Sequence, residues 1–183
     1  MDNAVARRNK RLDLASRLIQ HGVRTGIIEM LTGVNRHTQE TLRRWLGVPQ
    51  QARRRGRARM VPKFSSRARA EAAALIALSS SFAVSLAAPP PKPVCLDWVE
   101  RLIECCEAYQ AYVPDTQMDL ESLLVLQRSL VAGKVMLGKC PHRYCHTPIL
   151  IDRYAGRNQC GYCKPPRMPH RTSGEEQSPI EPA

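Results

Sequence analysis

Residues 140–163 read CPHRYCHTPILIDRYAGRNQCGYC, and the four cysteines in this stretch decide how the C-terminal part of the chain is organised. Cys140 and Cys145 form one close pair, Cys160 and Cys163 a second, and fourteen residues separate the pairs. That is the ligand spacing of one zinc ion, which takes four S or N ligands in a tetrahedron. Each short pair makes a tight turn carrying two thiolates, and the loop between them folds back to bring the second pair across. Cys160-Gly161-Tyr162-Cys163 is a regular C-x₂-C knuckle. In the first pair the interval is four residues, and His142 stands where a C-x₂-C register would place a ligand, so Cys140 and His142 compete for one coordination position. Four protein ligands leave no open position for water or substrate, so the zinc is expected to be structural and not catalytic.

The other three cysteines, Cys95, Cys105 and Cys106, lie in or beside apolar helical sequence and read as ordinary thiols. A disulfide framework is the weaker alternative for the terminal four. The N-terminal segment is amphipathic and interrupted by arginine, unlike a signal peptide, and an odd cysteine count fits a reducing cytoplasm.

Charge divides the chain unevenly. Residues 1–69 carry seventeen Lys and Arg against four Asp and Glu, a net of +13, while the remainder nets −1. The densest tract, Arg53-Arg54-Arg55-Gly56-Arg57-Ala58-Arg59, falls between a helical pattern and Pro62 and is expected to be a loop or linker. Arginine forks suit phosphate oxygens and guanine edges, so this concentration favours a nucleic-acid partner over a merely solubilising run. The uncharged run 72–88, AAALIALSSSFAVSLAA, is short for a membrane span and rich in Ala and Ser, so a buried helix and no membrane partner are expected.

The helical pattern starts near Arg11. Leu14, Leu18, Val23, Ile27 and Leu31 recur at helical spacing, with Gly22 and Gly26 as weak points, giving one helix or two. Thr32-Gly33-Val34-Asn35 then reads as a turn with Gly33 left-handed and Asn35 capping the next helix. That helix, Arg36 to Leu46, is expected to place Leu42, Trp45 and Leu46 on one side and Arg36, Arg43 and Arg44 elsewhere, the outline of a helix-turn-helix or of a plain packing hairpin. Further on, Asp97 is expected to cap a helix bearing Trp98, Leu102, Cys106, Tyr109 and Val113. A second helix over Leu120–Leu137, with a broad Leu-rich face, completes an antiparallel hairpin with apolar surface to spare for another subunit. Lys164–Ala183, with five prolines, reads as a disordered tail.

The fold class is therefore mainly α. A helical domain over 1–137, its basic N-terminal part about 1–69 and its helical hairpin about 97–137, precedes a Cys-rich zinc module over 138–168 and a tail over 169–183. No phosphate-cradling glycine loop or Ser/His/Asp set supports an enzyme reading.

Three stretches together resemble one family: LASRLIQHGVRTGIIEMLTGVNRHTQETLRRWLG at 14–47, VPKFSS at 61–66 and CGYCKPPRM at 160–168. They resemble the FlhC family of flagellar transcriptional-activator subunits and its relatives on mobile elements. The resemblance implies a mostly helical subunit with a Cys₄ zinc site that binds double-stranded promoter DNA. It also implies action in a hetero-oligomer with an FlhD-like partner, recruitment of RNA polymerase, and no catalysis. DNA contacts are expected from Arg36, Arg43, Arg44, Arg53, Arg54, Arg55, Arg57 and Arg59. The family's first knuckle is normally C-x₂-C, a register in which His142 stands first here, with Cys140 two residues upstream. Two alternatives follow from the residues without the resemblance: an RNA-binding or ribosome-associated zinc protein, and a zinc-stabilised interaction adaptor.

Overall fold

The computed structural model describes residues 2–49, 65–153 and 163. Among them are six helices and one two-stranded sheet, so the protein is mainly α. In chain order these are α1 (Asp2–Gln20), α2 (Thr25–Thr32), α3 (Arg36–Trp45), α4 (Ser66–Ser81), α5 (Leu96–Tyr112), α6 (Leu120–Val131), β1 (Val135–Lys139) and β2 (Pro148–Asp152).

The first helical pattern resolves into two helices, and Gly22 decides it. At φ 67 it takes the left-handed conformation that ends α1. Gly22 N donates to Ile19 O at 2.9 Å and Val23 N to Leu18 O at 3.1 Å, the paired bonds that satisfy the last carbonyls of a helix. Val23 and Leu18, brought together by this closure, are both buried. The same pattern at Gly133, where Lys134 N donates to Ser129 O at 2.9 Å, ends α6 at Val131. The helix expected to run to Leu137 therefore stops six residues earlier, and Val135–Lys139 becomes a strand. Nor does Asp97 cap α5: the N-cap position is Cys95, and Asp97 lies in the first turn, where its carboxylate receives Lys10 Nζ at 2.6 Å.

α1 packs against α2, α3 and α5; α4 packs against α5 and most extensively against β2. Leu14, Leu18, Ile28, Leu31, Leu102, Ile103, Leu120 and Leu123 are fully buried in one core, each contributing about 1.5–3 kcal/mol relative to exposure. α6 buries residues on nearly every side, from Leu120 to Ser129. Most of the Leu-rich face is thus buried within the chain, while Tyr112, Val131, Met136 and Leu137 stay exposed. The strands pair antiparallel with Leu137 opposite Leu150, and Leu150 joins the helical core while Ile149 packs with Cys140.

Buried polar groups tie the helices together. Glu71 of α4 is buried and accepts Arg67 Nε at 2.7 Å, Thr116 Oγ1 at 2.8 Å and Gln117 N at 2.9 Å. Burial alone would raise this carboxyl, but the three donors outweigh it and hold the group below its ordinary value of 4.5. A depressed folded-state value means that the stabilisation is complete above pH 4.5 and is lost as pH falls through the folded-state value. Denaturant melts taken from about pH 6 to pH 3 should therefore show the wild type losing stability faster than Glu71→Gln, which is already weaker at pH 6 by about 1.5–3 kcal/mol. Parallel curves for the two proteins would show that Glu71 carries no such linkage.

Candidate functional site

The β1–β2 hairpin builds the candidate metal site. Its register continues past the strands, with Cys140 N donating to Thr147 O at 3.0 Å, so Cys140 sits at the base of the connecting loop. Within that loop Cys145 N donates to His142 O at 2.9 Å, closing a turn that carries the second sulfur back toward the first. Cys163 then approaches from the C-terminal side. The Sγ atoms of Cys140, Cys145 and Cys163 all lie within 4.8 Å of one another. Two thiolates bound to one zinc at about 2.3 Å and a tetrahedral angle would be about 3.8 Å apart, so the three sulfurs fit a single ion.

The surroundings suit thiolate ligands. Cys140 is buried against Ile149, with Ile151 packed alongside, which excludes water from one side of the cluster. Thr147 Oγ1 lies 3.2 Å from Cys145 Sγ, where its hydroxyl can donate to the anionic sulfur. Cys160 lies outside the described residues, so the group here is three sulfurs of the expected four. His142 is exposed in the turn and does not join the cluster, which favours Cys140 for the contested position. The chain therefore holds a Cys cluster that could bind a metal ion.

Cys105 and Cys106 are different in kind. Both are buried in the helical core, and burial pushes their thiols up to about 11 and about 12, so they stay protonated and neutral. They pack as small apolar residues, as expected.

In the N-terminal part, α2, the turn and α3 form a helical hairpin. Gly33 is left-handed at φ 71, and Asn35 Oδ1 accepts Thr38 N at 2.9 Å as the cap of α3. Which face of α3 turns inward differs from the expectation. Gln39 and Arg43 are buried, Gln39 Nε2 donating to Val34 O at 2.8 Å and Thr25 O at 3.2 Å, and Arg43 Nη2 to Val23 O at 3.4 Å. Val23 precedes α2, Thr25 is its first residue and Val34 follows it, so the two side chains fix α3 against both ends of α2. Arg43 cannot contact DNA from this position and is corrected from a base-reading residue to a positioning residue. Trp45, expected on the core side, is 82% exposed. The outward face carries Arg36, His37, Arg44 and Trp45. Apolar spacing misled here because α3 has few apolar residues, and its buried positions, Gln39 and Arg43 four residues apart, are polar.

Arg53, Arg54, Arg55, Arg57 and Arg59, the zinc-module residues 154–162 and 164–168, and the expected tail 169–183 lie outside the described residues. No described helix is long and apolar enough to cross a membrane. The sequence matches no protein-family model, and a search of curated proteins finds no match.

Proposed function

We propose that the chain is a DNA-binding transcriptional activator subunit of the FlhC type, reading duplex promoter DNA with the outward face of α3. In this reading it acts in a hetero-oligomer with an FlhD-like partner, recruits RNA polymerase and switches on flagellar or mobile-element genes from the cytoplasm. One zinc, held by Cys140, Cys145, Cys160 and Cys163, supports the C-terminal hairpin; four thiolates give it a structural role. The observation that carries the reading is the rigid presentation of α3. Gln39 and Arg43 lock the helix from behind, and Arg36 and Arg44 stand outward about two turns apart, an arrangement suited to a groove-entering helix. The positive charge concentrated in residues 1–69, including the arginines of 53–59, supports it electrostatically.

Selection from a randomised duplex pool, with and without an FlhD-like protein, tests the proposal directly. A defined sequence should be enriched, and the same chain should bind RNA of matching length more weakly. Arg36→Ala and Arg44→Ala are each expected to cut discrimination between the selected and scrambled duplexes by about 1–3 kcal/mol for a bidentate base contact. Equal binding to RNA and no enrichment would instead favour an RNA-binding protein, and no nucleic-acid binding at all an interaction adaptor.

A further inference from the structure

The cations of α1 fall into two sets. Lys10 and Arg17 are committed to α5: Lys10 Nζ lies 2.6 Å from Asp97 and 2.7 Å from Glu100, and Arg17 Nη2 lies 2.7 Å from Glu107. Arg7, Arg8 and Arg11 are all exposed and make no ion pair with any described residue, although Arg7 also borders the cleft in which Lys10 meets Asp97. With Ala4 they line a shallow groove of about 450 Å³. At spacings of three and four residues these like charges repel along the helix, a cost that an anionic partner relieves and that packing does not explain.

The position of the three is set by the fold. Leu14, Ala15 and Leu18 continue the same stripe of α1 by one to two turns and are fully buried. The arginines therefore begin where that stripe leaves the core, without an ion pair to the acids of α5 and on the helix that packs directly on α2 and α3. All three are arginine, whose planar fork matches phosphate oxygens. No aromatic residue lies on the exposed half of α1 to stack on unpaired bases, and Val5 alone gives no apolar face for a lipid surface.

We propose that Arg7, Arg8 and Arg11 form a phosphodiester-binding ridge that grips the backbone of the duplex read by α3. This rests on the DNA reading above and adds a second, sequence-independent contact to it. The ridge contributes affinity to every duplex equally, while α3 supplies the choice between duplexes.

The test uses the full-length, metal-loaded chain carrying Arg7→Ala, Arg8→Ala and Arg11→Ala together. Alanine favours the helix, and an unchanged thermal midpoint confirms that the fold is intact. The wild type and the variant are titrated over a range of salt with a fluorescent duplex recovered by selection and with its scrambled counterpart. The variant should lose affinity by the same factor on both duplexes, and its plot of log K against log salt should be shallower by about 2–3 units, near 0.9 for each phosphate contact removed. If the wild type binds DNA and the variant matches it in affinity and slope, the ridge proposal is overturned while the role of α3 stands. A loss confined to the selected duplex overturns it as well, because the arginines would then be reading bases. Tighter wild-type binding to anionic phosphatidylserine vesicles than to either duplex assigns the ridge to a lipid surface instead. A wild type that binds neither duplex removes the DNA reading and the ridge with it.

Discussion

Cys145→Ser is expected to strip the metal from the protein and to melt the C-terminal hairpin. Purified wild type should carry one zinc per chain, and the variant should carry close to none. The expected effect is large because structural zinc contributes about 10–16 kcal/mol of apparent binding free energy in small modules, where little else orders the ligand loops. Here the backbone of the loop between Cys140 and Thr147 is held by one strand-like bond and one turn bond, so a metal shared by its two sulfurs would be its main cross-link. Cys140→Ser and Cys163→Ser should behave alike, and His142→Ala should retain its zinc, since His142 stands outside the sulfur cluster. Metal analysis by mass spectrometry, together with proteolysis of the hairpin, decides the matter. Zinc retained in Cys140→Ser and lost in His142→Ala would hand the contested position to the histidine, and a wild type without stoichiometric metal would end the metal assignment. Ile149 and Leu150 are anchored in the protein interior, so the damage should begin at the hairpin and reach α4 later.

The second large effect is expected from a buried ion pair. Arg24, at the start of α2, meets Glu121 in the first turn of α6, through Nη1 and Oε1; the side chains are 21% and 6% exposed. The pair joins the start of α2 to the first turn of α6. Removing one member leaves a charge buried in a poorly solvated place, which costs about 3–5 kcal/mol. Glu121→Leu and Arg24→Met should each lower the unfolding midpoint accordingly, by roughly 2–4 °C for every kcal/mol in a chain of this size. Replacing both together, as Arg24→Met with Glu121→Leu, should recover most of the loss, because the desolvation penalty goes with the charges. Chemical denaturation of the four proteins gives the coupling energy from a double-mutant cycle. Single variants that each cost less than about 1 kcal/mol would show that solvent reaches the pair and that it contributes no more than a surface bridge.

Much of the local structure was legible in the residues. Gly33 and Asn35 announced a left-handed turn and a helix cap because few other residues do either task, and both do so here. The cysteine spacing announced a shared site because the tetrahedral demand of one ion limits how far apart its ligands can fall in sequence. The end of α6 was misplaced even though Gly133 stood in view. Apolar periodicity carried the reading past Val131, and a run such as Val135-Met136-Leu137 fits a helix or a strand equally well until a partner strand is known.

The inward face of α3 was less legible still. A buried arginine is rare, and Arg43 reads as a surface cation in any window of sequence; what draws it inside is the carbonyl of Val23, twenty residues away, left without a helical partner by the break at Gly22. Trp45, expected on one side with Leu42 and Leu46, is exposed. By itself, then, the sequence determined the mainly helical class, the turn before α3, the metal-ligand spacing and the sign of the charge on the N-terminal third, since each depends on neighbours within about one turn or on composition. Only the tertiary structure decided which arginines support the fold and which face outward, where α6 ends, and that Cys140 and not His142 stands beside Cys145 and Cys163. Those outcomes depend on which distant backbone and side-chain groups compete for the same buried space.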